Sequence, residues 1–267
     1  MLTLTFLALM SSTATATATL EGDLVRIPVT VESRRLLFRV DPVIDGAVIA
    51  LATGLGLGSQ LVTSSGELGF ASLRDRSLLL GIDRPYATAP SSDTPDTVSN
   101  VIVAAALALA SADTLLELVR DEPNGFWTIG VLYAETLAIE LAAANLVKVA
   151  VRRPRPLTYA LPPEKTDDTA SFYSLHTAFV AGLGATATRL AFARQSEGVE
   201  AYLVLGGAAL LTTFVGIERV EARKHFPTDV LTGAVVGAAI GALVPSLHGE
   251  WRVVPSGGGV TLSTSFD

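Results

Sequence analysis

Two of the three histidines in this chain fall inside short polar stretches that interrupt long apolar runs. Residues 148–156 hold Lys148, Arg155 and Pro156 as K-x6-R-P. Residues 173–176 read Tyr-Ser-Leu-His, which places Ser174 two residues before His176. Residues 218–229 hold Arg219, His225 and Asp229 as R-x5-H-x3-D. A guanidinium grips two oxygens of an oxyanion in one plane, and an ammonium adds a point charge. Lys148, Arg155 and Arg219 together suit a group that carries two or more negative charges. Any one of them alone reads as a solvated cation at a helix end.

The second and third stretches add the groups that could act on such an anion. Ser174 suits the N-cap of the helix that follows it. A helix N-terminus also turns free N–H groups and a positive dipole end toward an anion. His176 falls in that first turn. His225 and Asp229 stand four apart at a helix start, so their side chains share a face. A carboxylate on Nδ1–H fixes the tautomer and leaves Nε2 free to attack. By itself Asp229 reads as a helix-start charge that complements the dipole.

Taken together, the three stretches resemble the signature motifs of the type 2 phosphatidic acid phosphatase superfamily. That superfamily includes bacterial acid phosphatases, lipid phosphatases and vanadium haloperoxidases. Its pattern is K-x6-R-P, then P-S-G-H, then S-R-x5-H-x3-D. Lys148, Arg155, Pro156, Ser174, His176, Arg219, His225 and Asp229 match it in order and spacing. The resemblance implies an all-α bundle of about six helices. It also implies metal-free hydrolysis of a phosphomonoester or diphosphate through a phosphohistidine, with no cofactor. In that scheme Lys148, Arg155, Arg219, Ser174 and the Leu175 amide hold phosphate. His225 attacks phosphorus, Asp229 orients it, and His176 protonates the leaving oxygen. Three positions depart from the pattern: Tyr173 replaces proline, Leu175 glycine and Glu218 serine. Leu175 can still donate its N–H if its φ is ordinary. Glu218 is expected to repel phosphate or tie up an arginine. Two rival readings follow, a non-catalytic envelope protein that keeps the fold and binds a phosphorylated ligand, and a vanadate-dependent haloperoxidase.

The elements around these stretches are apolar. The 267 residues are 49% hydrophobic and 17% charged, with a mean hydropathy of +0.48. A net charge of −7 and a pI near 5.0 exclude the basic face of a nucleic-acid binder. The absence of cysteine excludes disulfides, thiolate metal sites and a cysteine nucleophile. The remaining histidine lies apart from the motifs, and no second carboxylate–histidine cluster is visible to suggest a metal.

Residues 1–19 read as a secretory signal or targeting segment, with an apolar stretch and small residues after it, although no Lys or Arg precedes that stretch. Residues 20–42 form a lead-in whose loose alternation allows a short strand. The catalytic domain spans 43–247. Within it, helices are expected at 43–62, 98–119, 126–151, 174–194, 200–217 and 228–247. Residues 63–97, rich in Pro, Ser and Asp, form a loop whose length is unusual unless it caps something. The last helix is dense in Gly, Ala, Val and Leu, a composition that lets helices pack closely. Residues 248–267 suggest a tail with a hairpin around a glycine run.

Six membrane-spanning helices put all three motifs on one side. That side is external only if the chain starts in the cytoplasm, so a cleaved signal and six spans exclude each other. Asp113, Glu117, Glu135 and Glu140 argue against lipid burial, whereas the first and last helices are apolar enough to span. The reading taken is membrane association in a bacterial cell envelope, in the inner membrane rather than as a soluble periplasmic protein. The site then faces the periplasm or exterior, and the substrate is a phosphorylated lipid or small molecule.

Overall fold

Six helices carry the motifs: α1 (Ile44–Ser64), α2 (Thr94–Val119), α3 (Pro123–Val151), α4 (Leu175–Arg194), α5 (Val199–Glu221) and α6 (Pro227–Leu247). The computed structural model describes residues 14–20, 23–29, 38–72, 75–90, 92–119, 123–194, 198–249, 251–256 and 259–264. Residues 1–36 and 37–267 form two units. The first holds an antiparallel hairpin of β1 (Ala14–Leu20) and β2 (Asp23–Val29); β2 falls where the alternation allows a strand, whereas β1 falls on residues read as the end of a targeting segment. Most of the expected targeting segment lies outside the described residues. The second unit holds the helices and a closing hairpin, β3 (Trp251–Ser256) with β4 (Gly259–Thr264), at the place where the glycine run suggests one.

The helix boundaries follow the sequence signals closely. Pro227 opens α6, where its missing N–H costs nothing. Pro154 and Pro156 stop α3. Helix α5 runs a turn further than its apolar stretch suggests. It ends at Glu221, and Arg223 just beyond has a φ of 56°, the left-handed turn that closes many helices. The Arg223 guanidinium is held by Thr88 Oγ1 at 3.0 Å. The expected loop between α1 and α2 holds two 3-10 turns, Arg76–Leu78 and Arg84–Tyr86, and does cap the bundle.

Polarity in this bundle is turned inside out relative to a soluble protein. Leu51, Leu109, Leu203, Leu210 and Val235 point outward and stand largely exposed. Thr136, Glu140, Asn145, Thr177 and Thr186 are fully buried. The inward polar groups tie helices together, as expected in lipid. Asn145 Nδ2 donates to Gly56 O at 3.0 Å, Thr186 Oγ1 donates to Gly241 O at 3.0 Å, and Thr136 and Thr186 share a hydroxyl bond of 3.1 Å. Helices α1, α2, α3, α5 and α6 are each long and apolar enough to cross a membrane. The acids that argued against lipid burial do not face lipid: Asp113 and Glu117 pair with Arg194 at 2.7 and 3.0 Å, and Glu135 and Glu140 are buried. This is an integral membrane bundle.

Helix α4 is the most enclosed of the six, and α6 lies directly on it. Gly233, Gly237 and Gly241 recur every fourth residue along one face of α6. Added Cβ atoms there would stand 2.5 Å from Ser174 O, 2.2 Å from Ala178 O and 2.1 Å from Gly182 O. The two backbones are therefore in direct contact along a glycine seam, and the upper end of that seam lies at Ser174.

Candidate active site

All three motifs converge at one end of the bundle. Lys148 ends α3, and Arg155 lies just past it. Ser174 precedes α4, Arg219 lies in the last turn of α5, and Asp229 lies in the first turn of α6. The loops that join them are bonded to one another. Ser171 N donates to Arg153 O at 2.8 Å, Leu157 N to Arg223 O at 3.2 Å, and Ser174 N to Asp229 O at 3.2 Å. Lys148, Arg155, Arg219, Ser174, His225 and Asp229 are all buried. His176 and Leu175 are partly open.

His225 is held by a carbonyl. Its Nδ1 lies 2.7 Å from Ser171 O, which can only accept, so Nδ1 carries the proton and Nε2 keeps its lone pair. Burial, with Arg219, Arg155 and Lys148 close by, holds this imidazole well below the ordinary histidine range, against the smaller opposing pull of the Ser171 carbonyl. The ring is therefore neutral at pH 7, as a nucleophile must be.

Asp229 does not hold the Nδ1 proton, contrary to what its spacing suggests. Its nearer oxygen lies 3.9 Å from His225 Nδ1. Oδ2 accepts from Ser171 Oγ at 2.5 Å and from Phe226 N at 2.8 Å, and Oδ1 accepts from Arg153. The carboxylate thus fixes both the peptide that bonds to His225 and the turn that carries it. The helix-start role of Asp229 is also real, since it caps the Phe226 amide.

Arg153 is a residue that the motif pattern passes over. One end of its guanidinium binds Asp229, and the other binds Asp83 Oδ2 at 2.8 Å. Its plane stacks on the Phe226 ring at 4.3 Å. Asp83 is fully buried and accepts from Thr228 N at 3.1 Å and Thr228 Oγ1 at 2.7 Å. The long loop therefore caps the site, and it does so through Asp83.

The two guanidinium groups have carboxylate partners. Arg155 binds Asp167 Oδ2 at 2.5 Å, and Arg219 binds Asp96 Oδ1 at 2.5 Å and Ser99 Oγ at 3.1 Å. The expected conflict between Glu218 and Arg219 is thus misplaced, because the acid on Arg219 is Asp96. Ser174 behaves as an N-cap: its Oγ meets Thr177 Oγ1 at 2.9 Å and Thr177 N at 3.4 Å. Among the described non-glycine residues only Arg152 and Arg223 have positive φ, so Leu175 keeps an ordinary backbone in place of the pattern's glycine. His176 Nε2 lies 2.7 Å from Asn100 Oδ1, an acceptor supplied by α2. Asn100, Asp96, Asp83 and Ser171 stand outside the motif spacings, in segments with no period to flag them.

The motif region also matches known proteins. Among solved structures the chain is similar to one described as the first transmembrane PAP2 type phosphatidylglycerolphosphate phosphatase from Bacillus subtilis. Identity is 18%, the TM-score is 0.47, and the match covers 76% of this chain and 94% of that one. No curated protein matches. The family model described as PAP2 superfamily matches residues 129–252. Those residues, just under half of the chain, carry all three motifs, and over them the sequence matches that family.

Proposed function

We propose that this protein is a metal-independent phosphatase of the PAP2 type, acting on a lipid or polyprenyl phosphate through a phosphohistidine. The observation that carries this reading is His225: a buried neutral imidazole, protonated on Nδ1, beside three buried cations. Lys148, Arg155 and Arg219 hold the phosphoryl oxygens, with Ser174 and the Leu175 amide helping. Phosphate replaces the Asp96 and Asp167 carboxylates on the two guanidinium groups. The Nε2 lone pair of His225 attacks phosphorus and the bond to the leaving oxygen breaks. His176, which takes up a proton once the bound phosphate's negative charge offsets the nearby cations, turns from Asn100 toward the substrate and gives that proton to the leaving oxygen. A water then attacks phosphorus, His176 takes the water's proton, the P–N bond breaks, and inorganic phosphate leaves. The work required is positioning and charge stabilisation.

Two observations favour a lipid substrate. The bundle is a membrane one. A cavity of about 310 Å³ opens between α2, α4 and α5, lined by Ala106, Leu109, Val180, Leu183 and Leu211. Val180 lies one helical turn past His176, so an apolar chain has a path from the cradle. The site end faces the periplasm or exterior in this reading. Both Ile44 and Leu247 lie at the opposite end of their helices, which is the cytoplasmic end in this reading.

The test is phosphate release from phosphatidate in mixed micelles, with a denaturing alkaline quench to trap an acid-labile, base-stable phosphoenzyme. His225→Ala is expected to abolish both signals. A near wild-type rate in that variant overturns the proposal.

A further inference from the structure

Three side chains from three regions of the chain meet at the other end of the bundle. Asp45 opens α1, Glu135 lies within α3, and His248 follows the last residue of α6. His248 stands 19 positions beyond Asp229 along the sequence, roughly 28 Å along the helix from the phosphate cradle. The sequence offers no hint of this cluster, because its members lie at 45, 135 and 248.

Each group turns one atom toward a common point. His248 Nδ1 lies 2.8 Å from Val244 O and so carries its proton there, which aims Nε2 at the acids. Asp45 Oδ2 accepts from Asp41 N at 2.7 Å, and its Oδ1 lies 3.4 Å from His248 Nε2. Glu135 Oε2 lies 3.3 Å from the same nitrogen, and its residue is 7% exposed. That oxygen is buried and accepts no hydrogen bond. The three ligand atoms lie within 4.8 Å of one another.

The separations discriminate between a proton and a metal. A charge-assisted N–H···O bond closes to about 2.7–2.9 Å. Two donors bound at about 2.1 Å to one tetrahedral ion stand about 3.4 Å apart. The observed 3.3 and 3.4 Å fit the second figure. A neutral imidazole would also direct its lone pair at two carboxylates, so the arrangement needs a cation at its centre. Two buried carboxylates in an apolar bundle need the same cation on charge grounds.

We propose that Asp45, Glu135 and His248 bind one divalent transition-metal ion of the zinc class. One nitrogen and two carboxylate oxygens suit zinc, with a position left for solvent. The ion staples the start of α1 and the end of α6 to α3, and it takes no part in the chemistry at the cradle.

The test uses the untagged full chain in detergent, stripped with chelator and titrated with zinc chloride. One equivalent is expected to bind, and the Tm to rise by roughly 5–10 °C at a hundredfold excess over Kd. Glu135→Gln and Asp45→Asn keep side-chain size, so they fold, and each is expected to weaken binding by roughly tenfold or more. An unchanged Tm on adding zinc overturns the proposal, and so does an equal rise in Glu135→Gln. A Tm that follows pH but not zinc assigns the central cation to a proton on Nε2 and overturns it equally. Chelator is expected to lower Tm while leaving turnover at low temperature intact.

Discussion

His225 and Asp229 are four residues apart on one helix start, yet the imidazole bonds to the Ser171 carbonyl at 2.7 Å and the carboxylate stands 3.9 Å away. Asp229 reaches His225, the proposed nucleophile, through Ser171 and the Phe226 turn, with Arg153 and Asp83 behind it. Asp229→Asn leaves the Nδ1 bond in place but deprives Arg153 of its counter-charge. We expect kcat to fall by roughly 10–100-fold, the range typical for outer partners that orient metal-binding histidines. Because Asp229 is fully buried and its oxygens are taken by Ser171, Phe226 and Arg153, KM should hardly change. Steady-state kinetics of Asp229→Asn beside His225→Ala checks this. Equal, complete loss in both would restore the direct role.

Arg219 pairs with Asp96 and not with its neighbour Glu218, so in the proposed cradle Asp96 is the acid that competes with phosphate. Asp96→Asn is therefore expected to lower KM several-fold for a phosphate monoester, while Glu218→Ser leaves it within about twofold. The gain should shrink as salt screens the partly exposed pair. If Glu218→Ser gives the larger drop, the pairing in the substrate-binding state differs from the one described.

Much of this was legible in the chain. The six helices, the proline stops and the motif residues all follow from local spacing, because a helix presents residues three and four apart on one face. The His225–Asp229 geometry misled for the same reason: spacing puts two side chains on one face but does not say which acceptor wins the proton. Ser171 wins through its backbone carbonyl, which no residue type announces. Asp83, Asp96 and Asn100 were hidden because each reaches a partner at least 70 residues away. Asp45, Glu135 and His248 were hidden in the same way. The acids of α2 and α3 argued against lipid only while their facing was unknown.

The protonation state of His225 gives a test that needs no substrate. Its folded-state value lies well below the ordinary 6.5. The ring should therefore stay neutral as pH falls from 8 to 6. In chain labelled at its three histidines, the His225 imidazole resonances should not move over that range. The sign for stability follows. Below about 6.5 the unfolded chain binds a proton that the folded chain refuses, so this residue's contribution is full above that pH and declines beneath it. A His225 midpoint near 6.5 would mean that water reaches the ring and that the cations do not act on it.

The glycine seam between α4 and α6 sets the distance between the two halves of the site, since Ser174 and His176 ride on α4 and Asp229 rides on α6. A Cβ at Gly237 would lie 2.2 Å from Ala178 O and 2.7 Å from its Cα. Backbone atoms cannot turn aside as a side chain does, so the helices must part. Overpacking of this kind costs about 1–3 kcal/mol, and at this chain length each kcal/mol lowers Tm by roughly 2–4 °C. Gly58 in α1 makes the control, because a Cβ there meets nothing within 4 Å. We expect Gly237→Ala to lower both Tm and kcat, and Gly58→Ala to change neither appreciably. Differential scanning fluorimetry and kinetics on both variants check this. A Gly237→Ala protein that melts and turns over like its Gly58→Ala counterpart would show that the two helices are not in backbone contact, and that the site's spacing is set elsewhere.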